Sequence, residues 1–299
     1  MITVFGSANL DLIGKVEALP HAGETVPGST FSTAPGGKGA NQALAARRAG
    51  AVTRHCCAVG DDAFAEEALK LLRADGVDLG ALRVMPGATG IAMILVDARG
   101  ENVIAILPGA NGTATAEDAD AALAGLSAGS VLVLQQEIPQ EATARALDIA
   151  RERGLVSILN TAPFLDTTAE LAPKASILVA NESEFARLTG GSHQSLEDLM
   201  HAWARRHGQT VVVTLGADGV RAATPEQFYV VPALPVVAVD TVGAGDTFVG
   251  YLAAGIEAKL PLESALRRAA AAASLACLKP GAQPAIPYAD EVAAALPGL

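Results

Sequence analysis

The chain has 299 residues, of which 51% are hydrophobic, 18% charged and only 4% aromatic, and it carries a net charge of −11. This balance supports a large buried core and excludes a disordered chain. The acidic excess argues against sequence-independent nucleic-acid binding, which needs a basic face. From the N-terminus, residues 2–6 form an apolar run that fits a strand buried on both faces. Residues 11–35 read as extended chain punctuated by Pro20, Gly23, Pro27, Gly28 and Pro35. Helical spacing follows at 39–49 and 62–74, and 90–107 reads as a hairpin whose arms flank 97–101. Continuous apolar runs at 131–134, 156–159, 177–179 and 211–215 then alternate with helical patterns at 140–153 and 195–207. A further strand at 235–239 precedes helices at 244–258, 262–278 and near 288–296.

Such alternation predicts an α/β fold: a mostly parallel central sheet flanked by helices in three layers, with ligands beyond the carboxyl ends of the strands. The stretches at about 11–35 and 90–107 have no helix to cover them. They predict a small β-sheet lid on a single domain spanning 1–299; the alternative is that they are edge strands of the main sheet.

Cys56, Cys57 and Cys277 form neither an even disulfide framework nor a CxxC metal spacing. The five histidines (His21, His55, His193, His201, His207) show no HxH or HExxH arrangement. His201 and His207 lie beside Arg205 and Arg206 on a predicted surface helix, which makes them solvated side chains. No basic region followed by an apolar one opens the chain. The alanine-rich stretch 269–278, bracketed by Arg267, Arg268 and Lys279, is about half of the ~20 residues that span a bilayer. The expectation is a cytoplasmic protein with reduced thiols and no membrane partner.

Glycine- or Asx-bearing turns recur at the strand exits. In 240–248, Asp-Thr-Val-Gly-Ala-Gly-Asp-Thr-Phe, a small-residue turn opens a helix. Unsatisfied N–H groups there suit an anion, and Asp246 in the first turn is placed to take a proton from a nearby hydroxyl. Gly243, Ala244 and Gly245 would hold the charge on a transferring phosphoryl group; equally, Asp246 complements the helix dipole and the glycines make a turn. In 36–43, Gly-Gly-Lys-Gly-Ala-Asn-Gln-Ala opens another helix and is neither a Walker A loop nor GxGxxG. It suits a polyhydroxylated ligand, or is an ordinary Gly-rich helix entry. Asn9 and Asp11 follow the first strand and face one side of an extended chain, as a hydroxyl clamp or an Asx turn. Asn181 and Glu184 fit a capping box, with organisation of Mg²⁺ waters as the functional alternative. The turn 214–219 is a hairpin or a nucleotide wall, and 279–284 is a C-cap or a cation loop.

In this order and spacing, these segments resemble the ribokinase (PfkB) family of carbohydrate kinases from Gly6 to Pro284. The motifs at 36–43 and 240–248 carry the resemblance, and Gly-Glu-Thr-Val at 23–26 with Lys-Pro-Gly-Ala-Gln-Pro at 279–284 adds to it. The resemblance implies an ATP-dependent enzyme acting on a sugar hydroxymethyl group, with the 5-hydroxyl of D-ribose foremost. A kinase for another sugar (deoxyribose, fructose) or a nucleoside, or a catalytically silent sugar-binding protein, stays open. It further implies Asp246 as catalytic base and Gly243, Ala244 and Gly245 as anion hole. Asn9, Asp11, Gly37, Lys38, Asn41, Glu137 and Asp246 would contact the sugar. Asn181, Thr214, Gly216, Gly219, Gly245 and Ala270 would line the nucleotide site, and Glu184 would hold Mg²⁺ through water. Asp240, Val242, Ala276, Lys279, Gly281 and Ala285 match loops that bind K⁺, largely through carbonyls. The lid is expected to form a homodimer. Ala270, Ala285 and Thr161 depart from the family pattern, where a polar residue, serine and proline respectively are usual.

Overall fold

A computed structural model describes residues 1–191 and 194–296; His193 lies outside them. Eight strands form the central sheet in the order Phe228–Val231, Val220–Ala223, Thr210–Thr214, Ile177–Asn181, Val156–Asn160, Val131–Leu134, Ile2–Phe5 and Thr53–Cys56. Pairing is parallel from Thr210–Thr214 through to Thr53–Cys56 and antiparallel for the two strands at the opposite edge. The apolar runs behave as expected of strands covered on both sides. Along Val131–Leu134, Val131 and Val133 join one core cluster while Leu132 and Leu134 join another, the period-2 alternation of a pleated strand. Helices Lys38–Arg48, Ala244–Glu257 and Leu262–Ala276 contribute to the first cluster, and Ala116–Leu123 and Gln140–Arg153 to the second.

The two uncovered stretches form a separate four-stranded sheet, in the order Gly28–Gly36, Asn9–Val16, Gly90–Val96, Asn102–Leu107. They are therefore not edge strands of the main sheet. Asn9–Val16 pairs antiparallel with Gly28–Gly36 and parallel with Gly90–Val96, beginning with Asn9 opposite both Gly36 and Gly90. Because Asn9 follows Phe5 by four residues, the small sheet grows out of the carboxyl end of the first central strand.

Two expectations need correction. The segment 235–239 is not a strand. Pro232 and Pro235 remove ladder donors, and Val237 and Val239 are 88% and 67% exposed. The chain instead leaves the sheet edge and follows the helix Leu262–Ala276, with Leu234 N–H donating to Ser274 Oγ at 3.1 Å and Val239 N–H to the Cys277 carbonyl at 2.7 Å. Nor are His201 and His207 freely solvated. His207 stacks on Trp203 at 4.5 Å between ring centres and His201 packs on Phe228 at 5.6 Å. Trp203 and His207 meet because residues four apart share a helix face, while His201 meets Phe228 on the edge strand of the sheet.

Candidate active site

The site is built where two helices start. The helix Lys38–Arg48 begins at Gly37, whose φ of 89° is favourable only for glycine, and a Cβ there would lie 2.7 Å from Asn9 N. The helix Ala244–Glu257 begins at Gly243, with φ 76°. These helices approach closely because Gly250 has no side chain: a Cβ on it would come within 2.5 Å of both Ala45 Cβ and the Gln42 carbonyl oxygen. One turn before Gly250, Asp246 is thereby brought against the first helix.

Asp246 is 7% exposed and its carboxylate is held on both oxygens. Asn41 Nδ2 donates to Oδ2 at 2.9 Å and Gln42 Nε2 donates to Oδ1 at 2.8 Å. Gln42 also donates to Asn160 Oδ1 at 3.2 Å, while its own Oε1 accepts from Gln135 Nε2 at 2.6 Å. All four amides, Asn41, Gln42, Gln135 and Asn160, are buried.

The other predicted sugar contacts gather around the same helix start. Asp11 fills the space beside Gly36, where a Cβ would lie 2.5 Å from both carboxylate oxygens. Burial pushes the Asp11 carboxyl up to about 7, with the Glu137 and Asp246 carboxylates adding to the rise and Lys38 opposing it. Lys38 is raised, first by Asp246 and then by Glu137, Glu184 and Asp11, against the cost of its own burial. Glu137 Oε2 accepts from Ser7 Oγ at 2.5 Å and from the Lys38 backbone N–H at 2.9 Å. Asn9 Oδ1 accepts from Asn111 Nδ2 at 2.7 Å, and Asn111 Oδ1 in turn accepts from Ala8 N–H at 3.0 Å. The result is a polar cleft of carboxylates around one ammonium.

On the other side of the Ala244–Glu257 helix start lies a cavity of about 540 Å³. Asn181, Thr214, Gly216, Gly219, Gly245 and Ala270 all line it, as do Ala244 and Thr241. The turn 214–219 is both things that the sequence allowed: it joins the antiparallel strands Thr210–Thr214 and Val220–Ala223, and it walls the cavity. Asn181 and Glu184 do form a capping box, and Glu184 Oε2 also accepts from Thr161 Oγ1 at 2.8 Å.

Next to this cavity, Asp240 ties two loops together. Its Oδ1 accepts from Val242 N–H at 3.0 Å and its Oδ2 from Gly281 N–H at 2.8 Å. Gly243 abuts the second loop, where a Cβ would lie 2.8 Å from Ala282 Cα. Ala276 and Ala285 are buried, and Lys279 Nζ turns away to Glu291 at 3.1 Å. Among the described residues no cluster of three His, Cys, Asp or Glu side chains is placed to hold a metal ion.

Ser7, Gln42, Asn111, Gln135 and Asn160 were not among the expected site residues. Gln42 and Gln135 did carry a signal: Gln42 directly precedes the apolar run 43–46 and Gln135 directly follows 131–134, where an unpaired polar group would be costly.

Comparison with known proteins decides the family. The model of the pfkB family carbohydrate kinases matches residues 1–289. The chain belongs to the pfkB family of carbohydrate kinases. It is 37% identical over 307 residues to the ribokinase of Schizosaccharomyces pombe, covering 97% of this chain and 96% of that one. It is 38% identical over 298 residues to the bifunctional ribokinase/ribose-5-phosphate isomerase A of Fructilactobacillus sanfranciscensis, covering 97% of this chain but 55% of that protein's length. The solved structure of Arabidopsis thaliana ribokinase complexed with ribose and ATP superposes with a TM-score of 0.88 at 32% identity, covering 100% of this chain and 99% of that one. The α/β architecture and the separate small sheet are thus those of pfkB kinases.

Proposed function

We propose that this chain is an ATP-dependent ribose kinase that transfers the γ-phosphate of ATP to the 5-hydroxyl of D-ribose. The observation that carries this reading is the position of Asp246, between the polar cleft of Asp11, Lys38 and Asn41 and the cavity bordered by Gly245. The family, and the relatives that are ribokinases, support the same chemistry.

In the proposed reaction, Asn9, Asp11, Gly37, Lys38, Asn41 and Glu137 orient the sugar so that its primary hydroxyl reaches Asp246. The Asp246 carboxylate takes the hydroxyl proton as the oxygen attacks the γ-phosphorus, and the bond to the ADP oxygen breaks in line. Backbone N–H groups of Gly243, Ala244 and Gly245 would face the developing charge at the helix start, the Ala244 N–H exchanging its 3.3 Å bond to the Thr241 carbonyl for the phosphoryl oxygen. The ATP occupies the cavity walled by Asn181, Thr214, Gly216, Gly219 and Ala270. Mg²⁺ would supply charge neutralisation on the phosphates, with Glu184 reaching it through water. K⁺ would add positive potential behind the anion hole, held by the loops of Asp240, Val242, Ala276, Lys279, Gly281 and Ala285. ADP release measured over a panel of pentoses, hexoses and nucleosides tests the substrate: ribose should give the highest kcat/KM, and a nucleoside, fructose or deoxyribose turning over faster would replace it.

At equal ionic strength, activity should be higher in K⁺ than in Na⁺, because oxygen cages sized for the larger ion pay less to strip its water. Equal rates in the two salts would remove the cation from this reading.

The small sheet acts as the lid of a single kinase domain and as a homodimer clasp. Phe31, Met93, Val103 and Leu107 are 70%, 53%, 56% and 46% exposed and share one face of it by register, an apolar surface that a second copy would cover. Light scattering should give twice the chain mass for the wild type and a lower mass for Phe31→Glu; a wild-type monomer at micromolar concentration refutes the clasp. Among the described residues no helix is long and apolar enough to cross a membrane, and we place the enzyme in the cytoplasm with its ATP. Recovery in a membrane or secreted fraction would contradict that placement.

A further inference from the structure

We infer that Gln42, fixed from behind by Gln135, is a positioning residue for the Asp246 carboxylate. The inference rests on Asp246 being the base of the proposed reaction. A carboxylate oxygen can only accept, so the Gln42 atom that faces Asp246 Oδ1 at 2.8 Å must be the amide nitrogen. The other end of the amide is satisfied in the same orientation, although Gln135 Oε1 itself has no hydrogen-bond partner among the described residues. Gln135 Nε2 donates to Gln42 Oε1 at 2.6 Å, so a flipped Gln42 would set nitrogen against nitrogen there and oxygen against carboxylate at Asp246.

The second hydrogen of Gln42 Nε2 is also used, on Asn160 Oδ1 at 3.2 Å, so both hydrogens and the oxygen of this amide are paired. Neighbouring backbone makes room for this relay. A Cβ on Gly6 would lie 2.0 Å from Gln135 Oε1, so glycine there leaves room for the Gln135 amide in this pose beside the first strand. Three elements therefore meet at the one amide that donates to this oxygen of the base: the helix Lys38–Arg48, the exit of Val131–Leu134 and the end of Val156–Asn160.

Neutral amides suit this task. An arginine or lysine in direct contact would also fix the carboxylate, but its full charge would make the oxygen a poorer proton acceptor. Two amide donors hold the plane of the group and leave its remaining lone pairs for the sugar hydroxyl. The shift in geometry matters because proton abstraction is sensitive to misplacement of the order of 1 Å.

The test is a comparison of kcat and KM for ribose in Gln42→Met and Gln135→Met, both of near-native volume. Gln42→Met should lower kcat about 10- to 100-fold, the worth of one hydrogen bond to a charged group, with KM for ribose within about twofold of wild type. Gln135→Met, which does not touch Asp246, should lower kcat several-fold with the same unchanged KM. In an Asp246→Asn background the Gln42→Met effect should vanish, since the two act as one unit. Near wild-type turnover of Asp246→Asn alone would remove the base assignment. An inactive Asp246→Asn beside a Gln42→Met of wild-type kcat would leave the base in place and overturn only the positioning role. Should Gln42→Met not fold, Gln135→Met decides, and an unchanged kcat there overturns the inference.

Discussion

Asp246→Asn should lower kcat by about 10²–10⁴-fold, the usual contribution of a general base, while ribose and ADP still bind. The substitution keeps shape and removes only the proton-accepting charge. It should also fold, because the surroundings can adapt. Asn41 Oδ1 is buried with no hydrogen-bond partner among the described residues. A rotated Asn41 would offer that oxygen to the new amide nitrogen at position 246, while Gln42 continues to donate to the remaining oxygen. Loss of rate with retained affinity is the pattern expected of an interaction made in the transition state. Titration calorimetry with ribose, alongside steady-state ADP release, separates the two quantities. Turnover close to wild type would mean that the hydroxyl proton leaves by another route.

Asp11→Asn should have two opposed effects: a more heat-stable free enzyme above neutral pH, and weaker sugar binding. The Asp11 carboxyl titrates at about 7 in the folded protein against 3.8 for the free side chain. The native state therefore holds this proton over a range in which the unfolded chain has released it. The sign follows from linkage. Well below pH 4, both states are protonated and the residue costs nothing. Between about 4 and 7 stability falls as pH rises, and above about 7 the cost of the buried charge is fully present. Asparagine carries no such cost, so its advantage should grow across that window and then level off, at on the order of 1–3 kcal/mol. A carboxylate that grips sugar hydroxyls is, however, a stronger acceptor than an amide. KM for ribose should rise about 10- to 100-fold at pH 8. Melting curves from pH 4 to 9 check the first effect; parallel curves for the two proteins would show that Asp11 is not strained by its neighbours.

These two effects share a cause. Asp11, Glu137, Glu184 and Asp246 act on Lys38, and Lys38 is what keeps so many carboxylates tolerable at one helix start. A lysine at the first position of a helix is unfavourable to the helix dipole, and the sequence accepts that cost where function needs a cation. The free enzyme thus stores a modest electrostatic strain that a bound sugar, with hydroxyls donating to the carboxylates, would relieve.

How much of this was legible in the sequence differs between elements. The apolar runs that became Ile2–Phe5, Val131–Leu134 and Val156–Asn160 were clear, because burial on both faces leaves an uninterrupted local pattern. The Asn181–Glu184 capping box and the glycine turns at Gly37 and Gly243 were also clear, since each is settled by residues adjacent in the chain. The segment 235–239 misled, for its valines have the composition of a strand while its prolines deny it a partner. His201 and His207 misled because flanking arginines say nothing about which rings lie opposite.

By itself, then, the sequence determined the layered architecture, the helix starts and the presence of Asp246 and its glycine frame, all of which depend on short-range patterns. Only the tertiary structure decided that Gln42 would meet Asp246 across 204 residues of chain, that Gln135 and Asn160 would fix that amide, and that Asn111 would hold Asn9. The physical reason is that a buried amide chooses its partner by the packing of distant elements, here by how closely Gly250 lets two helices approach, and no local periodicity records that distance.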